Sequence, residues 1–203
     1  MQSFKNIIFD LGGIFIDIHY LRTKKAFESL GIMDFDSFFM QHHSNPLFAG
    51  FEKGLVTDED FFEGFRKETN TSLSDEQITK AWNAMLGDFR KSSIDWLKKI
   101  SADYKVFLYS NTNRVHHIFF SKLFADTIGG TLESLFEKAY FSHELHHRKP
   151  DAAGFLAILQ QQGLAAGETL FIDDTPINVE AASALGMHTI LLQSPMRVED
   201  IKL

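Results

Sequence analysis

Cysteine is absent from the 203-residue sequence. Its absence excludes disulfide staples and thiolate chemistry, and it fits a cytoplasmic home. Positive charge is scarce: 20 Lys and Arg stand against 27 Asp and Glu, for a formal net charge of −7. A nucleic-acid partner needs a basic stripe, so that class is excluded. Long uncharged apolar runs and basic amphipathic runs are also missing, which leaves neither a membrane span nor a surface anchor. The apolar run near the N-terminus stops at Asp10 and has no small-residue cleavage site, so it does not read as a signal peptide. Nor is there an internal repeat or a low-complexity tract. What is present is an ordinary globular balance, 44% hydrophobic and 23% charged. The length suffices for one good core, or for a core domain carrying a smaller inserted one.

Five short apolar runs read as buried strands: 6–9, 105–109, 138–141, 169–172 and 188–192. Near-continuous apolar strands suggest a parallel sheet covered on both faces. The last four alternate with helical stretches, as right-handed βαβ units do. Helix starts are marked by Ser92-Ser93, by Pro150 in a first turn before 152–162, and by Thr175-Pro176, with Gly186 as a stop. The fold class expected is therefore α/β, with a three-layer core around a central parallel sheet.

The first strand breaks this rhythm, because nearly a hundred residues separate it from the second. That interval reads as helical throughout, over 20–30, 35–41, 57–67 and 74–86. Thr57 to Asp60 and Ser74 to Gln77 resemble capping boxes. An all-helical insertion over 18–87 follows, leaving 1–17 and 88–203 as the core. The insertion holds Phe27, Phe35, Phe38, Phe39, Phe48, Phe51, Phe61, Phe62 and Phe65. Most belong in its own small core, and a few line a cleft.

Ligands of open α/β sheets sit beyond the carboxyl ends of the strands. There the sequence places Asp10 with Gly12-Gly13, then Ser110-Asn111-Thr112-Asn113, then Arg148-Lys149-Pro150, then Asp173-Asp174 with Asn178 one turn on. Carboxylates, a hydroxyl, an amide and a lysine on one edge suit Mg²⁺ and a phosphate. Lys149 would neutralise the phosphate as a point charge. Ser110 and the amides after it would donate to phosphate oxygens at a helix start. A carboxylate nucleophile splits one hard displacement into two easier ones.

These four motifs resemble the haloacid-dehalogenase-like hydrolase superfamily over nearly the whole chain. They stand as Ile7-Ile8-Phe9-Asp10-Leu11-Gly12-Gly13, Phe107-Leu108-Tyr109-Ser110-Asn111-Thr112, Arg148-Lys149-Pro150-Asp151 and the stretch from Leu170 to Val179. The resemblance implies a Rossmann-like core with a helical cap inserted after the first strand, and a Mg²⁺-dependent phosphatase acting on a small phosphorylated metabolite. By the same resemblance Asp10 is the nucleophile and a metal ligand. The Gly12 carbonyl and Asp174 complete the metal contacts, Asp173 and Asn178 stand behind them, and Ser110, Asn111 and Lys149 hold the phosphate. The stretch from Ser110 to His116, with 51–61 in the cap, looks closest to bacterial sugar-phosphate phosphatases acting on α-D-glucose-1-phosphate.

One position departs from the family pattern. Most family phosphatases carry an acid–base aspartate two residues after the nucleophile, and here that residue is Gly12. General acid–base help is worth about 10²–10⁴-fold, so the gap favours a good leaving group such as the hemiacetal oxygen of a sugar 1-phosphate. Asp17, His19 and His116 are candidate replacement acids, and Glu52 and Lys53 are candidate contacts to the sugar. A catalytically weak regulatory module and a dehalogenase- or phosphonatase-type hydrolase are the competing functions. The run His143-Glu144-Leu145-His146-His147 has ligand types at close spacing. It reads as structural, since a metal site needs a converging set with supporting partners.

Overall fold

The structure is a computed structural model and describes residues 4–40 and 43–203. In chain order the elements are β1 (Asn6–Phe9), β2 (Ile16–Ile18), α1 (Tyr20–Ser29), β3 (Phe39–Met40), β4 (His43–Ser44), α2 (Pro46–Glu52), α3 (Asp58–Thr69), α4 (Asp75–Asn83) and β5 (Leu86–Phe89). There follow α5 (Lys91–Ile100), β6 (Lys105–Ser110), α6 (Arg114–Thr127), β7 (Lys138–Phe141), α7 (Ser142–Leu145), α8 (Ala152–Gln162), β8 (Thr169–Asp173), α9 (Pro176–Ala184) and β9 (His188–Leu191).

Five strands form one parallel sheet in the order β7-β6-β1-β8-β9. Side chains alternate across a strand, so each apolar run feeds both faces. Ile7, Phe9, Val106, Leu108 and Ile172 pack with Ile94 and Leu97 of α5 and Phe120 and Phe124 of α6. Ile8, Phe107, Tyr109 and Phe171 pack on the other side with Phe155 and Ile158 of α8 and Ala182 of α9. This is the three-layer α/β core expected from the runs. The order puts β1 at the centre, so Asp10 emerges between β6 and β8.

The chain leaves and re-enters the core through β2 and β5, which pair antiparallel. Between them lies a separate apolar cluster containing Phe27, Phe35, Phe48, Phe51, Phe61, Phe65 and Trp82. The rings of Phe51 and Phe61 stack at 4.0 Å, and Phe39 meets Trp82 edge-on at 4.6 Å. Such pairs add about 0.5–1.5 kcal/mol each beyond the area they bury.

The insertion is not all helical. Only one 3₁₀ turn, Phe35–Ser37, forms where a helix over 35–41 was expected, and β3 follows it. Residue Gln41 lies outside the described residues. Helix α2 was not anticipated, although Asn45 caps it by accepting from the Phe48 amide and Pro46 opens it. The Ser74 capping box is complete, with Gln77 returning the bond. Asp60 instead accepts from the Thr57 hydroxyl, so that box is half made. Pro150 precedes the Asp151 cap of α8 rather than sitting in its first turn. The Thr175 hydroxyl goes to Asp174, not to its helix.

Candidate active site

Asp10 is the first residue beyond β1, tied to β8 by its amide donating to the Ile172 carbonyl at 2.9 Å. Lys149 is only 1% exposed, and its Nζ lies 2.7 Å from both Asp10 Oδ1 and Asp173 Oδ2. Burial acts to strip the ammonium of its proton, but the two carboxylates outweigh it and hold Lys149 charged, above the ordinary lysine value. Asn111 fixes that lysine by accepting from its amide and donating to its carbonyl, both at 2.8 Å. Asp173 is fully buried and saturated. Besides Lys149 it takes the Thr175 amide at 2.8 Å and the Asn178 side chain at 3.1–3.2 Å.

Asp10, Asp173 and Asp174 bring carboxylate oxygens within 4.8 Å of one another. Burial, with the two neighbouring aspartates, pushes the Asp10 carboxyl up to about 7, against the pull of Lys149. Burial and Asp173 also raise Asp174. Asp173 spends both oxygens on protein donors, whereas Lys149 takes Oδ1 of Asp10 and Thr175 takes Oδ1 of Asp174. Oδ2 of Asp10 and Oδ2 of Asp174 are left to meet a cation. An all-oxygen donor set with surplus negative charge fits a hard divalent ion such as Mg²⁺. Gly13 makes the approach possible. Its φ is +68°, and a Cβ there would stand 2.1 Å from Asp174 Oδ2.

A cavity of about 250 Å³ opens over this cluster. Asp10, Gly12, Ser110, Asn111, Lys149 and Asp174 line its floor, and Tyr20, Phe39 and Glu52 line it from the insertion. Glu52 is buried and pairs with Arg148 at 3.1 Å. Burial raises the Glu52 carboxyl, and Arg148 offsets only part of that.

The family model of haloacid dehalogenase-like hydrolases matches residues 7–192. The chain belongs to that family. It is similar to a HAD family enzyme of Bacteroides thetaiotaomicron, solved as an aspartate-to-alanine variant in complex with magnesium and inorganic phosphate. Identity is 33%, coverage 97% of each chain and the TM-score 0.92. A predicted HAD-like hydrolase of Porphyromonas gingivalis is 32% identical, with 93% of this chain and 90% of that one covered and a TM-score of 0.84. A D-ribitol-5-phosphate phosphatase of B. thetaiotaomicron is 28% identical over 185 residues, 91% of this chain and 90% of the relative.

The structure brings Asp10, Ser110, Lys149 and Asp174 to one cavity, while the other candidate residues divide. Asp17 is turned away and pairs with Arg90 at 2.7 Å, since it lies on β2 where the chain leaves the core. His19 packs over Gly87 and does not line the cavity. Lys53 reaches Asp151 at 3.3 Å, also outside the cavity. His116 does line it, but its ring stacks on Trp82 with Nδ1 at Asn113 and Nε2 at the Trp82 carbonyl. Burial pushes its pKa down to about 4, so it is neutral near pH 7 and a poor proton donor. Asn111 serves Lys149 with both side-chain polar atoms rather than pointing its amide only at a phosphate. Two features escaped sequence reading. Arg148 stood in plain sight beside Lys149, but its partner Glu52 is 96 positions away in the chain. Ile18 fills the space beside Gly12, where a Cβ would come within 3.2 Å of it.

Proposed function

We propose that this chain is a Mg²⁺-dependent phosphatase acting on a small phosphorylated polyol or sugar, with the phosphoryl group carried on Asp10. The observation that carries the reading is Lys149 clamped between Asp10 and Asp173, beside Asp174, beneath a cavity of about 250 Å³. That volume lies near the small end for ligand sites and suits a short-chain metabolite. In this reading residues 1–17 and 88–203 are the catalytic core, and 18–87 are the cap that selects the substrate.

Asp10, the Gly12 carbonyl and Asp174 would hold Mg²⁺, which would supply charge neutralisation on the phosphate oxygens. Lys149 orients Asp10 and pulls its carboxyl toward the ionised form against burial, and Ser110 with the amides after β6 receives the phosphate. An Asp10 oxygen attacks phosphorus, and the bond to the leaving oxygen breaks. Water then attacks the phosphorus of the aspartyl phosphate, freeing Asp10 and inorganic phosphate.

The leaving oxygen decides the finer substrate. The glucose-1-phosphate expectation rested on the resemblance of the 110–116 and 51–61 stretches, with Gly12 favouring a good leaving group. The B. thetaiotaomicron relative named a D-ribitol-5-phosphate phosphatase points instead to a primary alkoxide, which needs a proton. Of the five candidates Asp17, His19, Glu52, Lys53 and His116, only Glu52 both lines the cavity and has its carboxyl raised. Glu52 donates that proton to the leaving oxygen and recovers one from the attacking water.

The test compares D-ribitol 5-phosphate, glucose 1-phosphate and an aryl phosphate in the wild type and Glu52→Gln. A loss of about 10²-fold or more on the 5-phosphate, with little loss on the aryl phosphate, is expected. Equal losses on all three would refute the acid role. Preference for glucose 1-phosphate would restore the anomeric reading.

A further inference from the structure

A second cluster of ligand-type side chains lies apart from the three aspartates. His117 comes from α6, and His143 and Glu144 from α7. His117 Nδ1 is 3.4 Å from His143 Nε2, and Glu144 Oε1 is 3.8 Å from the first and 3.9 Å from the second. The carboxylate is too far from either ring nitrogen for a hydrogen bond. The point equidistant from the three atoms, however, lies about 2.1 Å from each, which is the zinc–nitrogen and zinc–oxygen bond length.

The surroundings match a ligand set as well. His117 Nε2 faces Glu133 Oε1 at 3.2 Å. A carboxylate on the far nitrogen fixes the tautomer that turns the Nδ1 lone pair toward the cluster, as behind ligating histidines generally. The His117 ring is held against Phe141 at 4.0 Å and stacked on Phe120 at 5.2 Å. The His143 side chain is 9% exposed, while Glu144 is 59% exposed, so the cluster opens to solvent on one side. Arg114 is a positive neighbour of His143, but it is bonded to Asp58.

We propose that His117, His143 and Glu144 form a binding site for one zinc-class divalent cation, with Glu133 positioning His117 and water completing the shell. Imidazole nitrogens select such ions over Mg²⁺, which favours the oxygen-only aspartate cluster. The site joins α6 to α7 beside the loop after β6, where Ser142 of α7 accepts from the Thr112 amide and donates to its carbonyl, both at 2.9 Å.

The test is Co²⁺ and Zn²⁺ binding to the full chain by calorimetry and by the visible absorption of Co²⁺, with excess Mg²⁺ occupying the aspartates. One equivalent is expected, with a Co²⁺ spectrum typical of nitrogen and oxygen ligands. His143→Ala should weaken binding at least about 100-fold, and Glu133→Gln about 10–100-fold. Glu144→Gln, at an exposed side chain, guards against misfolding of the histidine variant and should weaken binding too. No bound equivalent, or binding that survives all three substitutions, would overturn the proposal.

Discussion

Replacing Lys149 with methionine keeps the length and apolar stem of the side chain and deletes its charge. In the native chain the ammonium is 2.7 Å from a carboxylate on each side, and all three groups are buried. Removing one partner of a buried ion pair costs about 3–5 kcal/mol, because the remaining charge is left uncompensated. Here two carboxylates are left facing each other. At this length each kcal/mol shifts the melting temperature by about 2–4 °C, so a fall of roughly 6–20 °C is expected in chelator. Excess Mg²⁺ should recover part of that fall, because the cation takes over some neutralisation at Asp10. It should not recover turnover, which drops by at least about 10²-fold with the loss of a preorganised charge. Thermal melts with and without Mg²⁺, paired with phosphate release, read both effects. A melting temperature within about 2 °C of wild type in chelator would refute the clamp, since no buried pair would have been broken.

Three further outcomes follow from the same geometry. Gly13→Ala places a methyl group 2.1 Å from Asp174 Oδ2 at a φ of +68°, so Mg²⁺ affinity measured by titration should collapse, and unchanged affinity would argue against Asp174 as a ligand. His116 is buried with its pKa pushed down to about 4, against about 6.5 in the unfolded chain. Its contribution is therefore complete above about pH 6.5 and is lost as pH falls toward 4, by up to about 3 kcal/mol, and denaturant melts of His116→Gln should show a flatter profile over that window. Ser74→Ala removes the hydroxyl that accepts from the Gln77 amide at the start of α4, leaving the return bond from Gln77 in place, and should cost about 1 kcal/mol in the same melts.

The sheet was legible because its strands are short, apolar and bounded by turn residues. Asp10, Ser110, Lys149 and Asp174 were legible because each follows such a run in a fold that gathers strand ends. The insertion was harder. Helix α2 carries its Asn45 cap and Pro46 start in plain view, but it is seven residues long and sits beside β3 and β4. Pairings across long stretches of chain left no periodic trace. Glu52 with Arg148, and His117 with Glu133, are made by packing rather than by spacing. Asp17 and His19 looked promising because they are near Asp10 in sequence, but β2 carries them away from the sheet edge toward β5.

The central claim is that Asp10 itself receives the phosphoryl group. Acid-quenching the enzyme during turnover of D-ribitol 5-phosphate or an aryl phosphate with Mg²⁺, then locating phosphate by peptide mass spectrometry, tests it directly. A phosphoryl group on Asp10, absent without Mg²⁺ and absent in Asp10→Asn, is the predicted result. Turnover that persists in Asp10→Asn, or a phosphoryl group found on another residue, would contradict it.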